Sequence, residues 1–541
     1  MRGRRTDRRN WRWLPRRLRF RVLGLIDVIA LWVLVGALVG GGAWWGVDTY
    51  LDHRNYCSDS HELRRTGAAR ECIGVTEGPD AFGQELDPDV KGVMGRIARE
   101  NEAARNSGKE QVSVAVVMPY TQETAGAAMS RELILHSLEG AYLAQREFNK
   151  GSNTKDRAIR LVFANVGEYL RYWAPVTREL ADRLKDKDAP LVAAIGFPNS
   201  DSRTLDAVRS LAKHRIPSVS AALSANGMEN QYLFKVSPSN RQFAEALKGY
   251  VDANGMNRAK AFMIADSRKD DDYVTNLRQV FYEEFGADYG ISHDPVDGRI
   301  GRYQGKKGPQ RGKTGVFGQA VDAMCSAGTR TVFLAGRDAD LEPFLQSIRT
   351  TPSCGRAYPK DDPLRILRVS TGRDPHTESP VIRSIADSMH IQIVTAVAVD
   401  APRWSHGGAQ APGRFRDFAT AYKDAFAHER GDALNDGYAA MYHDALAAVN
   451  RAVYEAYKDG GVPVTHDDVN RQLGQGSPSE KCAQCVPAAT GDFTFADELE
   501  GPKGHWPVCK PIPIVTFPKE NRSKSPLYRT YESGRSKCPA P

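Results

Sequence analysis

From about residue 111 the chain alternates short apolar runs with amphipathic stretches. "VSVAVVMPY" (112–120), "IRLVFANVG" (159–167), "LVAAIGFPNS" (191–200) and "IPSVSAALS" (216–224) read as buried strands. Helical patterns separate them, from Ser130 to Asn149, around 173–187, and up to His214. Strands buried on both faces and joined by helices predict parallel pairing through right-handed crossovers. In "LFKVSPSNRQFAEALKGYVDANG" (233–255) Pro238 holds Ser237 extended. Ser239 caps a helix there, with Gln242 reaching back as a capping box. The rhythm then restarts with "AKAFMIAD" (259–266), "RTVFLAG" (330–336), "ILRVSTG" (366–372) and "IQIVTAVAV" (391–399). Two α/β units in succession are predicted, with residues 235–240 crossing between them.

The N-terminus follows a different pattern. Residues 22–46, "VLGLIDVIALWVLVGALVGGGAWWG", carry Asp27 as their only charge. As a helix they rise ~37 Å, enough to cross a ~30 Å hydrocarbon layer. Arginines before the run and Trp44 and Trp45 at its end place the N-terminus in the cytoplasm and the remainder outside. An uncleaved membrane anchor is expected, a cleaved signal peptide being the rival reading. Asp27 can pair with a partner helix or reach the interface, and Gly36 and Gly40 form a GxxxG that leaves a homodimer open. Residues 47–110, polar and helix-prone, read as a stalk.

Charge adds one exclusion. The 541 residues have a net charge of +8, yet residues 1–21 hold ten Arg against Asp7, a net of +9, so the rest carries −1. A nucleic-acid-binding surface is not expected on the folded part. Eight cysteines in an exported chain favour disulfides: Cys57 and Cys72 can close a loop, Cys325 and Cys354 flank a strand–helix unit, and Cys482, Cys485, Cys509 and Cys538 crowd the C-terminus. A zinc ribbon starting at C-A-Q-C is the alternative for the last four. "GPQRGKT" (308–314) has three residues between its glycines where a phosphate loop needs four, and no strand leads into it. It belongs to a basic segment, 298–315, read as an irregular solvated loop or a contact for an anionic partner. With no nucleophile elbow, no HExxH and no Cys/His pairing, neither catalysis nor a cofactor is expected.

Three stretches resemble a known family, the type I periplasmic binding proteins, especially the branched-chain amino acid binding proteins of ABC importers. "FKVSPSNRQFAEALKGYV" resembles that family's first crossover, "LNDGYAAMYHDALAAVNRAVY" (434–454) its helix returning to the first lobe, and "ATGDFTFADELEG" (489–501) its closing turn and strand. The resemblance implies two Rossmann-like lobes joined by three crossover strands, preceded here by one transmembrane helix. The first lobe would take 111–235 and 401–488, the second 236–400, with closing strands and a tail in 489–541. It also implies a cleft that captures a small-molecule ligand by hinge closure and an ABC permease or other membrane partner. A sensor or assembly module acting through a partner protein, or a lobe pair serving only protein contacts, is the alternative.

In open α/β sheets ligands sit beyond the carboxyl ends of the strands. Those ends carry Tyr120, Phe197 to Ser200, Ser220 to Ser224, Asp266 to Tyr273 and Thr371 to Asp374. The resemblance implies that Ser200, Ala222 and Ser224 hold a ligand carboxylate and that Tyr273 is the aromatic of the second lobe. Phe197, Ser220 and Tyr120 line the same strand ends. The family's acidic residue for a ligand ammonium is replaced by "VSTGRDP", where Arg373 favours an anion or simply pairs with Asp374. A small polar, carboxylate-bearing ligand is expected.

Overall fold

The apolar runs become the strands of two separate sheets in the computed structural model. It describes residues 28–34, 55–83, 86–120, 129–151, 157–255, 260–293, 299–306, 312–373, 375–407, 410–427, 431–458, 463–475, 485–496, 505–518, 528–530 and 538. The first sheet contains β1 (Arg64–Thr66), β2 (Glu71–Thr76), β3 (Glu110–Met118), β4 (Arg157–Asn165), β5 (Leu191–Gly196), β6 (Ser218–Ser220) and β7 (Leu233–Lys235), ordered β1-β2-β4-β3-β5-β6-β7. The second contains β8 (Ala261–Asp266), β9 (Ile300–Tyr303), β10 (Thr331–Ala335), β11 (Leu364–Ser370), β12 (Ile391–Val397) and, from the C-terminus, the strand Ile514–Phe517. Strands β3 to β7 run parallel, as do β8 to β12. The strand Ile514–Phe517 closes the second sheet antiparallel to β12. This is an α/β architecture of two lobes.

Three passages join the lobes. The first is the stretch after β7, where Ser239 accepts from the Gln242 amide at 3.1 Å and Gln242 accepts from the Ser239 amide at 2.8 Å. These two bonds end the strand and start the helix Asn240–Ala253 within four residues. The second leaves β12 and returns through the helix Tyr438–Lys458, which packs on the helix Arg131–Lys150 of the first lobe. The third runs from Trp506–Val508, which lies beside β7, into Ile514–Phe517. Chain thus joins the second lobe's sheet at Ile514, later than the boundary at 489 read from the sequence.

Two further readings are corrected. The stretch read as a stalk contributes β1, β2 and the helix Pro88–Arg105 to the first lobe. Strand β2 pairs antiparallel with β4, Asn165 Nδ2 donates to the Cys72 carbonyl, and the helix buries Val90, Val93, Met94 and Ile97. A six-residue strand whose apolar core is only "CIGV" gives too short a pattern to stand out. Part of the expected loop 298–315 is the edge strand β9, where Gly301 sits against Ala320 and Ile264. Residues 307–311 lie outside the described residues, as do all of 22–46 except 28–34. Residues 28–34 are helical with Ile29, Leu31, Trp32, Val33 and Leu34 all exposed. Among the described residues no helix is long and apolar enough to cross a membrane.

Cys57–Cys72, Cys325–Cys354 and Cys509–Cys538 are disulfides, and Cys485 is disulfide-bonded as well. These thiols are therefore not zinc ligands in the structure. Cys482 lies outside the described residues.

Where the passages meet, His443 sits buried between Asp444 (3.2 Å) and Glu147 (3.3 Å). Burial disfavours its charged form, but the two carboxylates outweigh burial and raise its pKa to about 9. A raised histidine pKa stabilises the fold fully below about 6.5, and that contribution is lost as pH rises through 9. Between pH 6.5 and 8 the protein should lose about 1–2 kcal/mol through this residue. Urea titrations of wild type and His443→Gln across that window should show the slope only in wild type.

Candidate functional site

A left-handed turn delivers the first residues of the site. At the end of β5 Gly196 has φ 110°, and a Cβ there would press on the Val117 carbonyl. Phe197 follows at φ 55°, a conformation unusual for a bulky residue, and its amide donates to Val117. The reversal carries Pro198, Asn199 and Ser200 to the rim of the sheet. Asp201 then caps the helix Ser202–Ala212 by accepting from the Arg203 amide, so Ser200 stands at a helix N-terminus. Ser200 Oγ accepts from the Ala225 amide at 3.3 Å, which leaves its own proton to donate. Beyond β6, Ala222 and Ser224 face the same space, with Ser224 held by its carbonyl to the Asn240 amide.

Opposite stands the second lobe. Asp271 caps the helix Asp272–Tyr289, which puts Tyr273 in its first turn. The Tyr273 hydroxyl donates to the Val369 carbonyl at 3.3 Å, and burial pushes its pKa up to about 12. Arg337, just past β10, stacks over the Tyr273 ring at 5.2 Å. Its Nε and Nη2 donate to the two oxygens of Asp271 at 2.7 and 2.8 Å. Burial opposes the charge of both partners, yet their attraction wins, raising the arginine and lowering the aspartate pKa. Asp338 follows, accepting from Ser370 Oγ at 2.9 Å and paired with Arg368. Ser370, Thr371 and Val369 from the end of β11, with Phe243, Ser237 and Tyr438, complete the lining. The cavity volume is about 90 Å³.

Of the expected residues, Ser200, Ala222, Ser224 and Tyr273 therefore share one interlobe cleft. Tyr120, Phe197, Ser220 and Arg373 do not line it. Tyr120 is buried in the first lobe against Phe82 and Phe163, its hydroxyl donating to Val116. Phe197 lies in the core under the turn it shapes. Ser220 Oγ donates to the Phe197 carbonyl and accepts from the Leu223 amide, so it builds the loop rather than the wall. Arg373 is turned away: it pairs with Glu378 at 2.9 Å and with Asp400 at 3.5 Å. The cause lies in the backbone, because Gly372 packs directly on Asn435 and Asp436 and the Arg373 amide donates to Asn435. Asp374 lies outside the described residues.

Arg337 and Asp338 were missed, although the rule that found the other strand ends applies to "FLAGRD" equally well. Tyr438 arrives from the returning helix, 165 positions after Tyr273, and no local pattern marks it.

No protein-family model and no curated protein matches the chain. Solved structures do. It is similar to the branched-chain amino acid transporter substrate-binding protein of Streptococcus pneumoniae solved with isoleucine, at 13% identity and TM-score 0.52, covering 78% of this chain and 99% of that one. It is also similar to an ABC transporter substrate-binding protein of Desulfitobacterium hafniense, at 18% identity and TM-score 0.50, covering 78% and 100%. A solute-binding protein of an ABC transporter from Rhodopseudomonas palustris, solved with 3,4-dihydroxybenzoic acid, matches at 14% identity and TM-score 0.50, covering 78% and 96%. The two lobes thus have the type I periplasmic binding fold, and all three matches are binding proteins rather than enzymes.

Proposed function

We propose that this chain is a membrane-anchored, extracytoplasmic solute-binding protein that captures a small carboxylate-bearing ligand by lobe closure and passes it to an ABC-type permease. The cleft carries this reading: it sets hydroxyls at a helix N-terminus in one lobe against an oriented arginine and aspartate in the other. A ligand touching both walls stabilises the closed arrangement by its differential affinity, which is how such a hinge works. The bound isoleucine and 3,4-dihydroxybenzoate of two matching proteins both carry a carboxylate, which supports the class.

The anchor rests on residues 22–46 and their arginine-rich flank. The apolar side chains of residues 28–34 stand exposed, a surface that a bilayer would cover. Deleting residues 22–46 should release the protein from washed membranes into the soluble fraction.

Ser200 and Ser224 donate to the carboxylate on this account. The double variant Ser200→Ala/Ser224→Ala should bind its carboxylate about 100-fold more weakly or worse, since each hydrogen bond to a charged group contributes ~1.5–3 kcal/mol. Isothermal titration of both proteins against leucine, glutamate and 3,4-dihydroxybenzoate measures this directly. Cells lacking the protein should also lose uptake of the compound that binds. Intact uptake despite tight binding would favour a sensor over a carrier.

A further inference from the structure

We infer that Arg337 and Asp338 form a bipolar doublet that selects an amino-dicarboxylate, a short ligand with two carboxylates and one ammonium. This deepens the solute-binding reading and rests on it. Arg337 and Asp338 are the only charged side chains lining the cleft among the described residues. Each is fixed from behind by an opposite charge, Asp271 for the arginine and Arg368 for the aspartate.

What each has left to offer differs. Asp271 occupies Nε and Nη2 of Arg337, so Nη1 is the remaining nitrogen, and it has no hydrogen-bond partner among the described residues. The arginine side chain is 25% exposed. The oxygens of Asp338 each hold one donor, from Ser370 and Arg368, and retain a second lone pair; its side chain is 35% exposed. The second-lobe wall is thus neutral in sum yet presents a donor and an acceptor on consecutive residues. A zwitterionic α-amino-carboxylate end has the matching pair, carboxylate to Arg337 and ammonium to Asp338.

The first-lobe wall asks for something else. Ser200 and Ser224 offer hydroxyls beside a helix N-terminus, and no lining residue there is acidic or basic. A second carboxylate suits it. Phe243, Tyr273, Tyr438 and Val369 add apolar surface to the same lining, which suits a short aliphatic spacer. A cavity of about 90 Å³ admits on the order of six to nine water-sized occupants, close to the nine or ten heavy atoms of aspartate or glutamate. A branched-chain amino acid would leave one wall's polar groups unanswered, and a site built to hydrogen-bond rejects such analogues strongly.

The test is a titration series on the full chain with L-glutamate, L-aspartate, glutarate, 4-aminobutyrate, leucine and 3,4-dihydroxybenzoate. Glutamate or aspartate should bind at least about 100-fold more tightly than glutarate, which lacks the ammonium, and than 4-aminobutyrate, which lacks one carboxylate. Asp338→Asn should erase the preference for glutamate over glutarate. Arg337→Met should erase that for glutamate over 4-aminobutyrate. Should Arg337→Met unfold because Asp271 loses its partner, Arg337→Lys keeps the charge, loses the bidentate fork and should still bind glutamate more weakly. The wild-type ranking needs no variant. If leucine or 3,4-dihydroxybenzoate binds more tightly than either acidic amino acid, the doublet inference is overturned and the carboxylate cleft stands. If no compound binds, both fall.

Discussion

Asp444→Ala is expected to cost about 3–5 kcal/mol of stability, the range seen when a buried ion pair loses one member. Asp444 is fully buried on the helix Tyr438–Lys458. It accepts from the Ala489 amide at 2.7 Å, the Thr490 amide at 3.1 Å, Lys510 Nζ at 3.3 Å and His443 Nδ1 at 3.2 Å. Three separate stretches of chain therefore end on one carboxylate: the returning helix, the turn at 489–490 and the passage toward Ile514–Phe517. Lys510 is itself 1% exposed at its side chain. Burial lowers its pKa to about 8 even with Asp444 beside it. Without the aspartate the amine has no counterion and two backbone N–H groups lose their acceptor. Lys510→Met should cost less, because Asp444 keeps its other donors, and adding Lys510→Met to Asp444→Ala should recover part of the loss. Urea unfolding of the four proteins gives the coupling. A loss under 1 kcal/mol for Asp444→Ala would remove this cluster from the account of how the passages are pinned.

Gly140→Val should cost about 3 kcal/mol or more. Gly140 faces Ala439 where the helices Arg131–Lys150 and Tyr438–Lys458 touch, and a Cβ there would overlap the Ala439 carbonyl. Backbone cannot swing aside as a side chain does, so the two helices must part along a contact that also includes Asn450 Nδ2 bonded to Ala144. Gly92→Ala is the control. It lies on an exposed face of the helix Pro88–Arg105 with nothing within 4 Å of an added Cβ, and helix propensity alone should stabilise the protein by about 0.5–1 kcal/mol. Opposite signs for two glycine replacements in helices would show that close packing, not propensity, decides at Gly140.

Sequence patterns made the lobes legible because their strands are buried on both faces, so each prints an unbroken apolar run such as "SVAVVM" or "LVAAIG". The capping box at Ser239 was equally legible, being wholly local. Strands β1 and β9 escaped notice because three or four residues at a sheet edge leave almost no pattern. At the site, Ser200, Ala222, Ser224 and Tyr273 could be placed by strand ends. Arg373 could not, because its direction depends on Gly372 lying against Asn435, over sixty residues away. Tyr120 and Ser220 sit at strand ends too, but their hydroxyls are used within their own lobe. Proximity to a strand end fixes where the backbone goes; the hydrogen bonds of neighbouring loops fix which side chains face the ligand.

Hydrogen exchange on the full chain with and without saturating ligand tests capture by lobe closure, using the compound of the titration series that most raises the melting temperature. At 100 times its Kd a ligand adds about 2.7 kcal/mol, so protection should be plain. Exchange should slow on both walls together, at residues 198–203 and 222–225 of the first lobe and at 336–338 and 370–373 of the second. Protection confined to one lobe, or no change on either wall, would contradict capture by lobe closure.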